Sequence, residues 1–138
     1  MVVLSNTAAQ TLQPGQALAF DRLVTRSSCG CNECARSGGP VGLQSAGTYR
    51  ITFHGNVTGV TGATAALPVE LSISVGGAPL VETEMIYTPA AADAVSNVGT
   101  ETYVRTCGSG NNVTVTNTGE NPIVVSPNTA LTIIKTSN

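Results

Sequence analysis

Hydrophobic and polar residues alternate with period two along much of the chain. In Tyr49-Arg50-Ile51-Thr52-Phe53-His54-Gly55-Asn56-Val57 the odd positions are Tyr, Ile, Phe, Gly and Val, and the even positions are Arg, Thr, His and Asn. Successive side chains of a strand point to opposite faces. This segment therefore predicts a strand whose odd positions meet a core and whose even positions meet water or a partner. Val69-Glu70-Leu71-Ser72-Ile73-Ser74-Val75 repeats the pattern, Asn112-Val113-Thr114-Val115-Thr116-Asn117 is a shorter copy, and Ala130-Leu131-Thr132-Ile133-Ile134-Lys135 closes the series. The alternation assigns Ile51, Phe53, Leu71, Ile73, Val113, Val115, Leu131 and Ile133 to a core between two sheets.

Weaker strand signals run over Ala17 to Val24, Val41 to Gln44, Leu80 to Tyr87, Val98 to Thr106 and Ile123 to Val125. Turn signals separate them at Pro14-Gly15, Ser37-Gly38-Gly39-Pro40, Gly76-Gly77, Gly108-Ser109-Gly110 and Gly119-Glu120-Asn121-Pro122. Strands recurring at such spacing predict an all-β sandwich or barrel. No stretch carries a helical stripe, and the alanine-rich Thr88 to Val95 reads as a loop or single turn. No composition break, heptad or other internal repeat divides the chain.

A length of 138 residues suits one domain, 1–138, with 1–13 read as an extended N-terminal arm or attachment segment. Charged residues are 10% of the chain, against a typical value of about 25%, and the formal net charge is −2. Six basic residues spread thinly along the sequence argue against a nucleic acid partner and against an electrostatic grip on a membrane. No apolar run approaches the roughly 18 residues that span a bilayer. The start, Met1-Val2-Val3-Leu4-Ser5-Asn6, lacks the basic and apolar regions of a secretion signal. It predicts a chain kept in the cell or released by another route, such as lysis that frees assembled virus particles.

The segment Ala46-Gly47-Thr48-Tyr49-Arg50-Ile51-Thr52-Phe53-His54 resembles the Gly-x-Tyr-x-Phe strand of C1q and tumour-necrosis-factor jelly rolls. The three C-terminal strand signals, Asn112 to Asn117, Ile123 to Val125 and Ala130 to Lys135, are similar to the last strands of bacterial and phage C1q-like domains. Among these are the tip domains of exosporium collagen-like proteins and phage head-fibre and decoration proteins. Pro14 to Phe20 matches their first strand, so the resemblance covers roughly Pro14 to Lys135. It implies a two-sheet antiparallel β-sandwich of jelly-roll type, closed trimerisation and a place at an outer surface. Two features depart from the family. The aromatics number five, Phe20, Tyr49, Phe53, Tyr87 and Tyr103, and the sequence carries a cysteine cluster and no collagenous stalk.

That cluster, Cys29-Gly30-Cys31-Asn32-Glu33-Cys34, holds three of the four cysteines, and Cys107 lies far along the chain. Three plus one suits a tetrahedral structural zinc, and Cys31-x-x-Cys34 has ligand spacing, although only one such pair is present. Disulfide pairing is the alternative. Three pairings exist, and the short Cys29–Cys31 loop is the most strained of the contacts they contain. Free thiols are the third option. A redox enzyme is not expected, because Cys-x-x-Cys there usually opens a helix in a βαβ setting and the sequence shows neither.

The remaining chemistry is sparse. His54 is the sole histidine and stands on the polar face of its strand beside Arg50 and Asn56, without a nucleophile or orienting group for base catalysis. Glu82 and Glu84, two apart, read as a solvated strand edge, with Asp93 nearby in sequence. Asn56-Val57-Thr58 and Asn112-Val113-Thr114 match the glycosylation sequon, which arises easily in a Thr-rich β protein. Gly76-Gly77 and Gly108-Ser109-Gly110 read as hairpin turns rather than phosphate loops. Together these readings predict no enzyme and no resident cofactor beyond a structural zinc at the cysteines. They predict a virion-surface protein, a head-decoration or fibre-knob homotrimer whose partners are itself and other virion proteins such as the capsid. The alternative is a module that binds a surface glycan or receptor at a bacterial cell or spore surface.

Overall fold

The computed structural model of the chain describes residues 1–26, 41–43, 45–60, 66–108 and 110–137. Within them lie twelve strands. They are β1 (Val2–Ser5), β2 (Gln10–Leu12), β3 (Arg22–Arg26), β4 (Val41–Leu43), β5 (Gly47–Gly59), β6 (Val69–Val75), β7 (Ala78–Pro79), β8 (Met85–Tyr87), β9 (Ser96–Thr106), β10 (Asn111–Asn117), β11 (Ile123–Val125) and β12 (Ala130–Ser137). A single 3-10 turn, Val81–Thr83, precedes β8.

The strands form two antiparallel sheets. The larger has β9 at one edge, then β5, and β5 is paired along its other side by β12 and β11 end to end. Beyond these, β1 pairs β12, β2 pairs β11, and β3 pairs β1. The smaller sheet runs β4-β10-β6, with β7 and β8 sharing the far side of β6. Residues Val75 and Ala78 pair across Gly76 and Gly77, whose φ angles of 61° and 85° make the left-handed two-residue turn that a tight hairpin requires.

Alternation becomes burial along β5, where Gly47, Tyr49, Ile51, Phe53, Gly55 and Val57 are buried and the residues between them are not. The eight residues assigned to the core are each at most 1% exposed, and they join one cluster between the sheets. Tyr49 seals its Gly47 end, its hydroxyl donating to the Ser45 carbonyl at 3.0 Å. At the Gly59 end the Tyr87 hydroxyl donates to the Val57 carbonyl at 3.0 Å.

Three sequence expectations need correction. Residues 1–13 are no extended arm: β1 lies between β12 and β3, β2 pairs β11, and Val2, Leu4 and Leu12 are core residues. The stretch Ala17 to Val24 is not one strand. Leu18 and Asn117 bond the small sheet's edge through Leu18 N–H to Val115 C=O and Asn117 N–H to Gln16 C=O, and Ala17 forms a bridge to Thr116. The chain then crosses to the large sheet, burying Leu18 and Phe20 on the way, and β3 begins at Arg22. Glu82 and Glu84 do not share a strand edge either, because Glu82 sits in the 3-10 turn and Glu84 follows it. There the Thr83 hydroxyl takes the place of a strand partner. It accepts from Ile73 N–H at 2.9 Å and donates to the Leu80 carbonyl at 2.7 Å.

Candidate functional site

The even positions of β5 and the odd positions of β9 share the outward face of the large sheet, because Arg50 pairs with Tyr103, Thr52 with Glu101 and His54 with Gly99. On this face Arg50 lies 3.8 Å from Glu101, and the Thr52 hydroxyl donates to the same carboxylate at 2.9 Å. Asn97 donates to Asn56 at 3.1 Å. The two charges of the pair offset each other, so the centre of the face is close to neutral. Tyr103 projects from the same face on the edge strand β9 and is 60% exposed.

His54 lies on this face, exposed, between Gly99 and Ala130 in register. Its cross-strand neighbours supply neither nucleophile nor carboxylate. Glu82 accepts a hydrogen bond from Thr102 at 3.4 Å. Asp21 carries the perturbed carboxyl. The Thr7 hydroxyl and then the Thr7 amide donate to it, and together they hold it below the ordinary carboxylate range. It ties the β1–β2 connection to the start of β3. No group of three or more His, Cys, Asp or Glu residues is placed to hold a metal among the described residues. Cys107 is exposed in the turn after β9 and forms no disulfide among the described residues. Cys29, Cys31 and Cys34 lie outside the described residues, so their expected tie to Cys107 stays a proposal.

Two polar residues that hold several partners each were not singled out by the sequence. Asn6 and Asn117 are fully buried. Asn6 donates to the carbonyls of Ala8 and Ser126 and accepts from Thr129 N–H, joining the β1–β2 and β11–β12 connections. Asn117 donates to the carbonyls of Leu12 and Asn121 and accepts from Gly119 N–H, joining the end of β10 to β2 across the two sheets.

No protein-family model matches the sequence, and a comparison with curated proteins finds no match. Solved structures do match. The globular domain of zebrafish complement 1qA protein aligns over 99% of this chain and 98% of its own, with TM-score 0.66 and 10% identity. Eiger TNF from S. frugiperda aligns over 99% and 92%, with TM-score 0.66 and 9% identity. Murine APRIL aligns over 94% and 98%, with TM-score 0.60 and 14% identity. At such identities the likeness is one of fold, and it extends over essentially the whole chain: this is a two-sheet jelly roll of the C1q and TNF type.

Proposed function

We propose that the chain is a non-catalytic assembly module that works as a homotrimer on a particle surface, as a virion head-decoration or fibre-knob protein. The observation that carries the trimer is the outward face of the large sheet. Tyr103 stands exposed on its edge strand β9, and the Arg50–Glu101 pair lies beside it. Covering such a face gains the burial of an aromatic ring and keeps the Arg50 and Glu101 charges beside each other. The jelly-roll fold is consistent with closed self-association. The sequence supports the particle setting through a surface rich in Thr, Ser and Asn with few charges.

Light scattering on the purified chain tests the assembly, and the expected mass is that of three chains. Tyr103→Glu should shift the mass toward one chain while leaving the melting transition cooperative. A wild-type monomer at micromolar concentration would sink the reading. Antibody labelling of purified particles tests the setting: regular labelling supports it, and glycan-array binding without particle labelling would favour a surface-recognition module instead.

A further inference from the structure

His54, exposed on the outward face of the large sheet, stands in a row that runs Gly99, His54, Ala130, Ser5, Arg22 from β9 to β3. Its two neighbours in that row, a glycine and an alanine, offer no side-chain acceptor. Along β5 the flanking residues of the same face are Thr52 and Asn56, and both are engaged elsewhere. Thr52 donates to Glu101, and Asn56 accepts from Asn97. The carboxylate diagonal to the imidazole, Glu101, is already shared by Arg50 and Thr52. Among the described residues the charged groups on this face are Arg50 on β5, Glu101 and Arg105 on β9 and Arg22 on β3, while β1, β11 and β12 add none to it. Lys135 of β12 turns to Ser45 instead. Three arginines thus stand against one carboxylate before the imidazole takes a proton.

The position of His54 puts it within reach of the contact that covers Tyr103. Tyr103 pairs with Arg50, four residues along β5 from His54, so the two side chains stand about 13 Å apart along the strand and about 5 Å apart across it. A standard interface takes about 800 Å² from each partner, a patch about 32 Å across. A contact that takes in Tyr103 and the Arg50–Glu101 pair extends to His54. The side chain of histidine is the one whose charge ordinarily changes between about pH 5 and pH 8. A neutral ring on a covered face loses little water. A charged ring adds a fourth cation where its own chain supplies no free anion, and covering it removes its hydration without return.

We propose that His54 links self-association to protons: the trimer closes over a neutral imidazole and opens when the imidazole is charged. The inference rests on the assembly reading and adds its regulation. The sign follows from linkage. The covered state binds fewer protons than the separated chains, so association strengthens as pH rises through the histidine range and weakens as pH falls through it. For a histidine of ordinary affinity that must be neutral to be covered, the step from pH 7.5 to pH 5.5 weakens association about tenfold per chain. Three chains make that about a thousandfold in the trimer dissociation constant, or about thirtyfold in the concentration at half-dissociation. Carboxylates of ordinary affinity stay ionised across this window, which leaves the imidazole as the group that changes.

Sedimentation of the full chain over a dilution series at pH 7.5 and pH 5.5 tests it. The wild-type chain should need about thirtyfold more protein to stay half-assembled at pH 5.5, and the released monomer should keep a cooperative melt. His54→Gln, which stays neutral, should assemble at pH 7.5 and lose the pH dependence. His54→Arg, which stays charged, should assemble weakly at both values. Because the residue is exposed, both variants should fold, and the melt checks that they do. A trimer whose half-dissociation moves less than about threefold, one that tightens in acid, a pH dependence that survives in His54→Gln, or His54→Arg that assembles like wild type would each overturn this proposal and leave the assembly reading standing. A wild-type chain that is monomeric at both pH values would overturn the two together.

Discussion

Replacing Asn117 by Leu should destabilise the fold far more than any exposed polar substitution in the same strand. The side chain is fully buried and makes three hydrogen bonds to backbone, to Leu12 and Asn121 carbonyls at 3.0 and 2.8 Å and from Gly119 N–H at 3.0 Å. Leucine has similar bulk but answers none of them. Each backbone group stripped of a buried partner costs about 1–3 kcal/mol, and because the three share one side chain their costs overlap, so the expected loss is about 3–5 kcal/mol. Urea unfolding measures it. With a slope of about 2 kcal/mol/M, the midpoint should fall by about 1.5–2.5 M with the slope unchanged. Asn112→Leu, the same chemical change at an exposed position of β10, should cost less than about 0.5 kcal/mol. If Asn117→Leu proved no worse than Asn112→Leu, the bridge from β10 to β2 would contribute nothing and the account would fail.

Further outcomes follow from the same geometry. Phe53→Ala should cost about 3–5 kcal/mol by lost burial and a residual cavity. Thr52→Ala, which gives up one hydrogen bond to Glu101 on the exposed face, should cost less than about 1 kcal/mol, both read by urea unfolding. Asp21 titrates below its ordinary value of 3.8, so its contribution is present above that value and is lost as pH falls through the lower folded-state value. Wild type should therefore lose its advantage over Asp21→Asn only in strong acid, and an advantage that vanished between pH 6 and pH 8 would contradict the Thr7 bonds as its source. For the cysteines we propose that Cys107 is tied to the Cys29–Cys34 segment by a disulfide or a shared zinc. Such a tie closes a loop of about 75 residues, worth about 4 kcal/mol in the chain-entropy account. Thiol titration of denatured protein with and without reductant, plus elemental analysis, checks it; four free thiols and no metal would rule it out.

Strands with one buried face were legible because the core forces period two on them. The strong alternation of 49–57 marks the middle of β5, and 123–125 coincides with β11. The N-terminal strand hid for a physical reason. Val2-Val3-Leu4 shows no alternation in residue type, since Val3 lies on the outward face of a strand flanked on both sides and is itself half-buried. Ser72 and Ser74 read as water-facing yet are buried, being small hydroxyls bonded to Thr118 and Thr116. Asn6 and Asn117 were passed over because asparagine usually marks turns. Their position carried a readable signal nonetheless. Asn117 continues the inward series Val113, Val115, and Asn6 continues Val2, Leu4, so each is a polar residue standing in core register at a strand's end. A buried amide there must find partners for two donors and an acceptor, and the nearest groups in need are the carbonyls and N–H groups of the connections that leave the sheet. Period two thus identifies apolar core positions directly, and by the same rule it marks the few polar residues that must hold those connections in place.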